Sequence, residues 1–161
     1  MNFRSLFFAL IFLLASAPAQ AQNPEEAAIL ETIQHVFDGI NEKNADLIRQ
    51  SMMPDGILYA TFLEEDSPAA RYTSAEDFAA GITEAESVYH ERMFEHELHV
   101  QDGVALVWAA YDFHIDGNFS HCGVDTFSLV KTGDNWRVAA LTYTVEREGC
   151  AERPPLPSSS N

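Results

Sequence analysis

The sequence predicts an α+β domain in which helices precede a sheet of antiparallel strands. Apolar residues recur at three- and four-residue spacing between Ala28 and Ile40, which is the spacing of an amphipathic helix. The second half contains runs of strand character separated by Asp102-Gly103 and Asp116-Gly117. Asp-Gly pairs favour two-residue hairpin turns. Helical periodicity followed by regularly spaced hairpins therefore indicates helices first and a meander after them.

The first half is predicted to hold three helices and one strand. Pro24 is tolerated in a first helical turn, and Glu25 and Glu26 favour the positive end of the helix dipole. Asn44 suits the start of a short second helix, and Thr73-Ser74-Ala75-Glu76 has the spacing of a capping box. The helices are expected to begin at 24, to cover 47–53 and to cover 77–85, with a strand over 57–63.

The second half is predicted to form four long strands. A third turn, Thr132-Gly133-Asp134-Asn135, follows the two Asp-Gly pairs. The strands between these turns cover approximately 90–100, 104–114, 119–131 and 136–147. Because each turn is short, consecutive strands pair with one another as an antiparallel meander.

Both ends of the chain differ from the predicted domain. A single positive charge at Arg4, an apolar run and then Ala19-Gln20-Ala21 have the order of a cleavable signal peptide, predicted over 1–21. The apolar run is too short to span a bilayer, so we expect no membrane insertion. The end, 151–161, is rich in Pro and Ser and is expected to be a disordered or extended tail. This leaves one domain over 22–150 in a secreted or periplasmic protein.

The composition disfavours nucleic acid as a partner. The chain carries a formal charge of −16, and removal of 1–21 would remove Arg4 and no acid, giving −17. Binding to phosphates needs clustered Lys and Arg, which this charge balance does not provide. The two cysteines, Cys122 and Cys150, suit a compartment that permits disulfides. We therefore predict a Cys122–Cys150 disulfide.

The hairpin turns predict which side chains share a face of the sheet. A regular register places Asp112 opposite His121 and Trp108 opposite Asp125. This face is expected to form a partly apolar pocket for an unknown small molecule. Its predicted ligand-binding residues are Trp108, Asp125, Phe127, Thr142 and, from the first helix, Phe37.

Proton transfer is the chemistry that these polar groups could perform. Asp112 would orient the imidazole of His121, and with Asp125 they are the candidate catalytic residues. The alternative is that Asp112 and His121 form a structural pair, and that Asp125 merely binds Thr142. No metal site, cofactor or nucleophilic motif is expected, because no phosphate loop, Gly-x-Ser-x-Gly or Cys-x-x-Cys occurs.

The opposite face is expected to be apolar and to mediate a homodimer. Its predicted members include small and aromatic side chains that no obvious helix covers. They are Val107, Ala109, Tyr111, Phe113, Val124 and Leu141.

Several stretches of the chain resemble the nuclear transport factor 2-like superfamily, which includes SnoaL-like cyclases, ketosteroid isomerase and scytalone dehydratase. The stretches are 41–47, Met53-Pro54-Asp55-Gly56, His121-Cys122-Gly123-Val124-Asp125-Thr126-Phe127 and Asn135-Trp136-Arg137-Val138. The last two most resemble the bacterial branch labelled "putative lumazine-binding". The resemblance implies a cone-shaped, curved antiparallel sheet wrapped around three N-terminal helices.

The same resemblance implies a role for one acid and excludes one reaction. Asp125 occupies the strand position at which ketosteroid isomerase has a protonated Asp. The isomerase's tyrosine and general base fall near Val36 and Ala60, which cannot replace them. An exported small-molecule-binding protein is therefore our leading interpretation. A cofactor-free enzyme of SnoaL or dehydratase type is the alternative, and an interaction domain whose cone is filled by its own side chains is the third.

Overall fold

The computed structural model describes residues 23–64 and 67–156. The predicted signal peptide and the residues from 157 onward lie outside these ranges. Three helices and six strands follow one another in the order that the sequence predicts, with one additional strand. They are α1 (Pro24–Asn41), α2 (Ala45–Ser51), β1 (Met52–Glu64), β2 (Ser67–Ser74), α3 (Ala75–Glu84), β3 (Tyr89–Gln101), β4 (Val104–Ile115), β5 (Asn118–Thr132) and β6 (Asn135–Val145).

Each helix begins at a side chain that caps its first turn. The side-chain oxygens of Asn23, Asn44 and Ser74 accept hydrogen bonds from the backbone N–H groups of Glu25, Leu47 and Asp77. A capping oxygen satisfies a backbone donor that has no partner within the helix. The Asn44 cap is the predicted one, whereas α3 is capped by Ser74 with Asp77, one residue after the predicted Thr73–Glu76 box.

The six strands form one open, curved sheet in the order β2-β1-β6-β5-β4-β3. All neighbours are antiparallel except β1 and β6, which pair in parallel. The sheet is thus mixed, and the predicted antiparallel meander is its β3–β6 part. Strand β2 was not predicted, because Ser67–Ser74 contains Pro68 and small residues rather than alternating apolar ones.

The three helices cover one side of the sheet, which we call the inner face. Its core includes Phe37 from α1 against Phe127 from β5, with ring centroids 5.8 Å apart and nearly perpendicular rings. Val107 and Ala109 from β4, together with Leu141 from β6, are also buried on this side. The opposite side, the outer face, exposes apolar side chains such as Leu106 and Trp108. Burial therefore identifies the two faces of every central strand.

One extra residue in β5 reverses the predicted relation between β4 and β5. Ile115 pairs with Asn118 as predicted, but Phe113 then pairs with His121 and His114 with Phe119, so Ser120 has no partner opposite it. A bulge of this kind moves all later side chains to the other face. Asp125 consequently lies beside Ala109, not Trp108, and Asp112 pairs with Cys122, not His121.

A second bulge, in β6, has the same effect. Leu129 pairs with Val138, whereas Ser128 pairs with Ala140, so Ala139 is the additional residue. Beyond it, Tyr143 pairs with Asp125 on the inner face, and Thr142 pairs with Thr126 on the outer face. The regular register had placed Thr142 beside Asp125.

The side of the sheet that the helices cover overturns the predicted dimer face. Val107, Ala109, Tyr111, Phe113 and Leu141 belong to the inner face, where the helices or the end of the cone cover them. Of the predicted set, Val124 remains on the outer face. The homodimer prediction therefore loses the surface on which it was based.

A short segment after the sheet lies over the outer face, and we call Ala151–Leu156 the strap. A disulfide joins the predicted pair, Cys122 of β5 and Cys150, immediately before it. Arg153 binds Glu95 at 2.8 Å, and Arg92 donates to the carbonyl oxygen of Pro155 at 3.3 Å. These contacts hold the strap against the sheet. Among the described residues, no helix is long and apolar enough to cross a membrane.

Candidate functional site

Asp125 is a buried acid on the inner face, paired with Ala109 of β4 and Tyr143 of β6. Only 1% of its surface is exposed. Neither of its carboxyl oxygens has a hydrogen-bond partner among the residues that the structure describes. Buried polar groups are nearly always paired, because leaving one unpaired costs the free energy of its lost hydration. Asp125 therefore stands out as a group with unused binding capacity.

The group next to Asp125 is a second acid, Glu91 of β3. Glu91 is held by α1: its backbone N–H donates to the Asn41 side chain at 2.8 Å, and the Asn41 amide donates back to its carbonyl at 3.4 Å. Glu91 remains partly accessible. Because Glu91 is partly accessible and Asp125 is not, a ligand could approach Asp125 only past Glu91, and we call the region around these two acids the recess.

The two acids change each other's ionisation. Burial raises the pKa of Glu91 well above its ordinary value, and the neighbouring charge of Asp125 raises it further. Burial also raises the pKa of Asp125, to about 8, while the neighbouring Glu91 side chain opposes this shift. Two neighbouring carboxyl groups repel each other when both are ionised, which favours the protonated form of at least one of them. The pair therefore retains a proton at neutral pH.

Tyr111 forms one side of the recess but directs its hydroxyl away from the acids. Its O–H donates to the backbone carbonyl of Thr144 at 2.6 Å. Gly123 permits this approach, because a Cβ at that position would overlap the Thr144 carbonyl oxygen and lie 2.8 Å from the Tyr111 ring. Tyr143 lies beside Tyr111, with ring centroids 6.4 Å apart, and burial raises the pKa of its hydroxyl to about 12. Both phenols therefore remain protonated.

His121 lies on the inner face as a neutral aromatic group. Its ring stacks on Phe113 with centroids 4.9 Å apart, and its Nδ1 is 3.0 Å from the Ser120 hydroxyl. Burial, assisted by the positive charge of Arg147, lowers the pKa of His121 to about 4. Tyr89 extends the aromatic wall, at 5.4 Å from Phe113.

Comparison of the sequence with known protein families identifies the family of this chain. The family model described as "Putative lumazine-binding" matches residues 24–144, which is most of the chain. The chain belongs to this family. No curated protein matches it.

Solved structures with the same fold confirm the predicted nuclear transport factor 2-like architecture. An NTF2-like protein from Cytophaga hutchinsonii superposes with a TM-score of 0.65 at 10% identity, over 77% of this chain and 99% of the other. The beta subunit of a "putative aromatic-ring-hydroxylating dioxygenase" from Novosphingobium aromaticivorans gives 0.63 at 13% identity, over 79% and 92%. An NTF2-like superfamily protein from Salmonella enterica gives 0.58 at 13% identity, over 81% and 95%. At these identities the likeness concerns the fold alone.

Within this member of the "Putative lumazine-binding" family, the predicted Asp112–His121 dyad is wrong. Asp112 is 2% exposed and lies on the outer face, beneath the strap. Arg92 holds both of its oxygens, at 2.9 and 2.5 Å. His121 lies on the inner face, so the sheet separates the two side chains. Asp112 serves an ion pair and is unavailable for proton transfer in the recess.

The predicted ligand-binding residues divide between the two faces. Asp125, Phe37 and Phe127 lie on the inner face, although the two rings are fully buried in the core. Trp108 is 54% exposed on the outer face, and Thr142 lies on the same face. Trp108 and Thr142 are therefore corrected: the bulges at Ser120 and Ala139 place them outside the recess. The structure brings Asp125 and His121 to one face.

The sequence analysis did not predict several residues of the recess, among them Tyr143 and Glu91. Tyr143 was not among the predicted pocket residues, because the bulge in β6 has no sequence signal. Glu91 lies in a strand of alternating polar residues, Tyr89–Gln101, and its burial depends on contacts with α1. The one sequence signal for the burial of Glu91 is its position two residues before Met93, which places both side chains on the inner side of β3.

Other concavities lie away from the two acids. A cleft of about 550 Å³ at the ends of β1 and β6 is lined by Thr61, Phe62, Pro68, Thr144, Val145, Glu146, Arg147 and Glu148. Neither Asp125 nor Glu91 lines this cleft. No group of three or more potential metal ligands occurs within 23–64 and 67–156.

Proposed function

We propose that the protein is an exported small-molecule-binding protein, and that its ligand occupies the recess between α1 and the inner face of the sheet. The observation that carries this proposal is the buried, unpartnered carboxyl group of Asp125. A ligand that hydrogen-bonds to this group would remove the cost of its burial. Glu91, Tyr143 and His121 would contact the same ligand from the wall.

Export is supported by the disulfide. The Cys122–Cys150 bond suits an oxidising compartment, where such bonds persist. The predicted signal peptide would deliver the chain there, to the periplasm or the exterior. A homodimer is supported by a different surface from the predicted one, namely the exposed apolar side chains of the outer face.

The experiment that tests the binding function compares two substitutions at one position. Asp125→Leu removes both polar roles, whereas Asp125→Asn keeps the shape and one hydrogen-bonding oxygen. Native mass spectrometry of protein from an exporting host should show a retained small molecule in the unmodified chain, less in Asp125→Asn and none in Asp125→Leu. Glu97→Gln, an exposed change on β3, should retain it. Equal retention by all four proteins would refute the proposal.

A cofactor-free enzyme is the second candidate, favoured by the raised pKa values of the neighbouring acids Asp125 and Glu91. One protonated and one ionised carboxyl can together donate and accept a proton at a substrate. In this enzyme hypothesis Glu91 replaces Asp112 as the candidate catalytic residue that acts together with Asp125. Turnover lost in both Asp125→Asn and Glu91→Gln, with binding kept, would distinguish catalysis from binding. An interaction domain remains the third candidate, favoured if no small molecule enters the recess.

A further inference from the structure

The hairpin between β4 and β5 carries a sequence signal that the proposed function does not use. Its turn and the start of β5 read Asp116-Gly117-Asn118-Phe119-Ser120. The last three residues form an Asn-x-Ser sequon, which is an acceptor for N-linked glycans when the middle residue is not Pro. No other asparagine in the sequence has Ser or Thr two residues later.

An acidic residue extends this signal. Bacterial oligosaccharyltransferases select acceptors that have an acid two positions before the asparagine, and Asp116 stands at that position. A three-residue signal occurs often by chance. The additional acid makes the match at Asn118 more specific.

The acceptor side chain is accessible in the folded protein. Asn118 lies beside the turn and is exposed. Its Nδ2 donates to the backbone carbonyl oxygen of Asp116 at 3.2 Å. The side-chain amide has two hydrogens and keeps one when a glycan is attached to its nitrogen. The modified side chain therefore retains a donor for this bond, and the turn tolerates the modification.

The hydroxyl of the sequon lies at the bulge in β5. Ser120 has no partner opposite it in β4, and its Oγ is 3.0 Å from Nδ1 of His121. A transferase must reach the Asn118 amide and the Ser120 hydroxyl together. Only two residue pairs, those of Asn118 and Phe119 with β4, lie between the bulge and the turn. The end of a hairpin opens at a smaller free-energy cost than the whole sheet.

Apolar side chains near the turn are exposed to solvent. Phe119 is 50% exposed and Val88 is 55% exposed. Val88 adjoins the turn, because its carbonyl accepts from the Asp116 N–H and its own N–H donates to the Asp116 carboxylate, each at 2.8 Å. A glycan is bulky and solubilising, so one on Asn118 would shield this apolar end of the hairpin.

The same position leaves the outer face free for an interface. Asn118 pairs with Ile115, which follows Trp108 by seven residues in β4. Seven residues of strand span about 23 Å. A glycan at the turn therefore lies well away from the exposed ring of Trp108.

We propose that Asn118 is an acceptor for an N-linked glycan that is added after export. The Asn118 Nδ2 attacks the anomeric carbon of a lipid-linked oligosaccharide diphosphate. The carbon–nitrogen bond forms as the carbon–oxygen bond to the diphosphate breaks, one amide proton passes to a base of the transferase, and the lipid diphosphate leaves. Glycan addition needs the exported location that the proposed function includes, but it does not depend on a ligand in the recess.

The test produces the full chain in a bacterial host that carries an oligosaccharyltransferase and its lipid-linked glycan. Intact-mass measurement of the exported protein should find a species heavier by one glycan, and peptide mapping should place that glycan on Asn118. Asn118→Gln and Ser120→Ala should lose the heavier species. Ser120→Thr should keep it, because Thr supplies the same hydroxyl. An exported carrier protein with residues 116–120 appended as a tail shows that the transferase is active.

Each contrary result identifies the step that fails. An unmodified Asn118 in protein that has lost residues 1–21, beside a modified carrier tail in the same cells, would overturn glycan addition and leave export in place. Modification of Asn118 that persists in Ser120→Ala would overturn the role of the sequon. Protein that retains residues 1–21 would refute export, and glycan addition with it. Native mass spectrometry of Asn118→Gln tests the recess separately, since the substitution lies outside it.

Discussion

Asp125 is as buried as a core residue, although it is an acid, a residue type usually found at the surface. Neither of its oxygens accepts a hydrogen bond from a described residue, so its burial favours the protonated form. An acid whose pKa is raised by folding makes stability depend on pH in a defined direction. The unfolded chain releases the proton near its ordinary pKa of 3.8, whereas the folded chain retains it to about 8.

The first prediction concerns this dependence. Between about pH 4 and about pH 8 the folded state binds more protons than the unfolded state, so stability should fall as pH rises. Asp125→Asn is neutral throughout and should show a smaller fall in melting temperature over this range. The matched control is Glu97→Gln, which should follow the unmodified protein. Parallel melting curves for Asp125→Asn and the unmodified chain would show that Asp125 is not the source of the dependence.

The second prediction concerns the close contact at Gly123. Gly123→Ala would force the β-carbon against the Thr144 carbonyl oxygen and the Tyr111 ring, so it should destabilise the fold by about 1–3 kcal/mol. Gly81→Ala is the control, since its β-carbon meets nothing within 4 Å. That helical site should gain up to about 1 kcal/mol. Chemical denaturation measures both; an unchanged Gly123→Ala would mean that β5 and β6 can separate without cost.

The position of the strap depends on one covalent bond, the Cys122–Cys150 disulfide, and on the contacts of Arg92 and Arg153. The loop closed by Cys122 and Cys150 spans a sequence separation of 28 residues. Closing such a loop restricts the unfolded chain and contributes roughly 3 kcal/mol in the chain-entropy model.

The third prediction follows from this closure. Cys150→Ser should lower stability by roughly 3 kcal/mol and speed cleavage by a glutamate-specific protease after Glu152. Reduction of the unmodified protein by dithiothreitol should have the same effect on both measurements. If cleavage after Glu152 stays slow, the contacts of Arg92 and Arg153 hold the strap without the disulfide.

The elements also show which features the sequence predicts. Turns and caps depend on a few adjacent residues, so Asp102-Gly103, Asp116-Gly117 and Asn44 were read correctly. A bulge depends on how a strand curves over the helices, and Ser120 and Ala139 carry no local signal. The predicted fold is confirmed. The predicted site residues do not all lie on one face, because one extra residue in a strand moves all later side chains of that strand to the other face of the sheet. Asp125 remains in the candidate site, because its prediction rested also on the superfamily resemblance, which does not depend on strand register.

At the scale of the whole molecule, the outer face remains apolar despite the high net charge. Trp108 and Tyr72 are 54% and 58% exposed, and Val104, Leu106 and Tyr59 are exposed on the same side. Contiguous apolar surface of this kind is typical of interfaces.

The fourth prediction is that this face forms the dimer. Trp108→Glu should place a charge within the contact and weaken self-association at least about tenfold, as measured by light scattering over a concentration series. Glu31→Gln, an exposed change on α1, should leave it unaltered. A protein that remains monomeric before substitution at high concentration would exclude this face as an interface.

The parallel pairing of β1 with β6 has a consequence for how the molecule is made. Synthesis proceeds from the N-terminus, and before β6 is complete the sheet consists of two separate parts, β2–β1 and β5–β4–β3. A two-stranded hairpin such as β2–β1 is marginally stable alone. The strand that is made last enters the middle of the sheet and joins Leu58 to Leu141 across more than half of the chain. Pairing over such separations is slow, so the nascent chain stays open until its final strand is available.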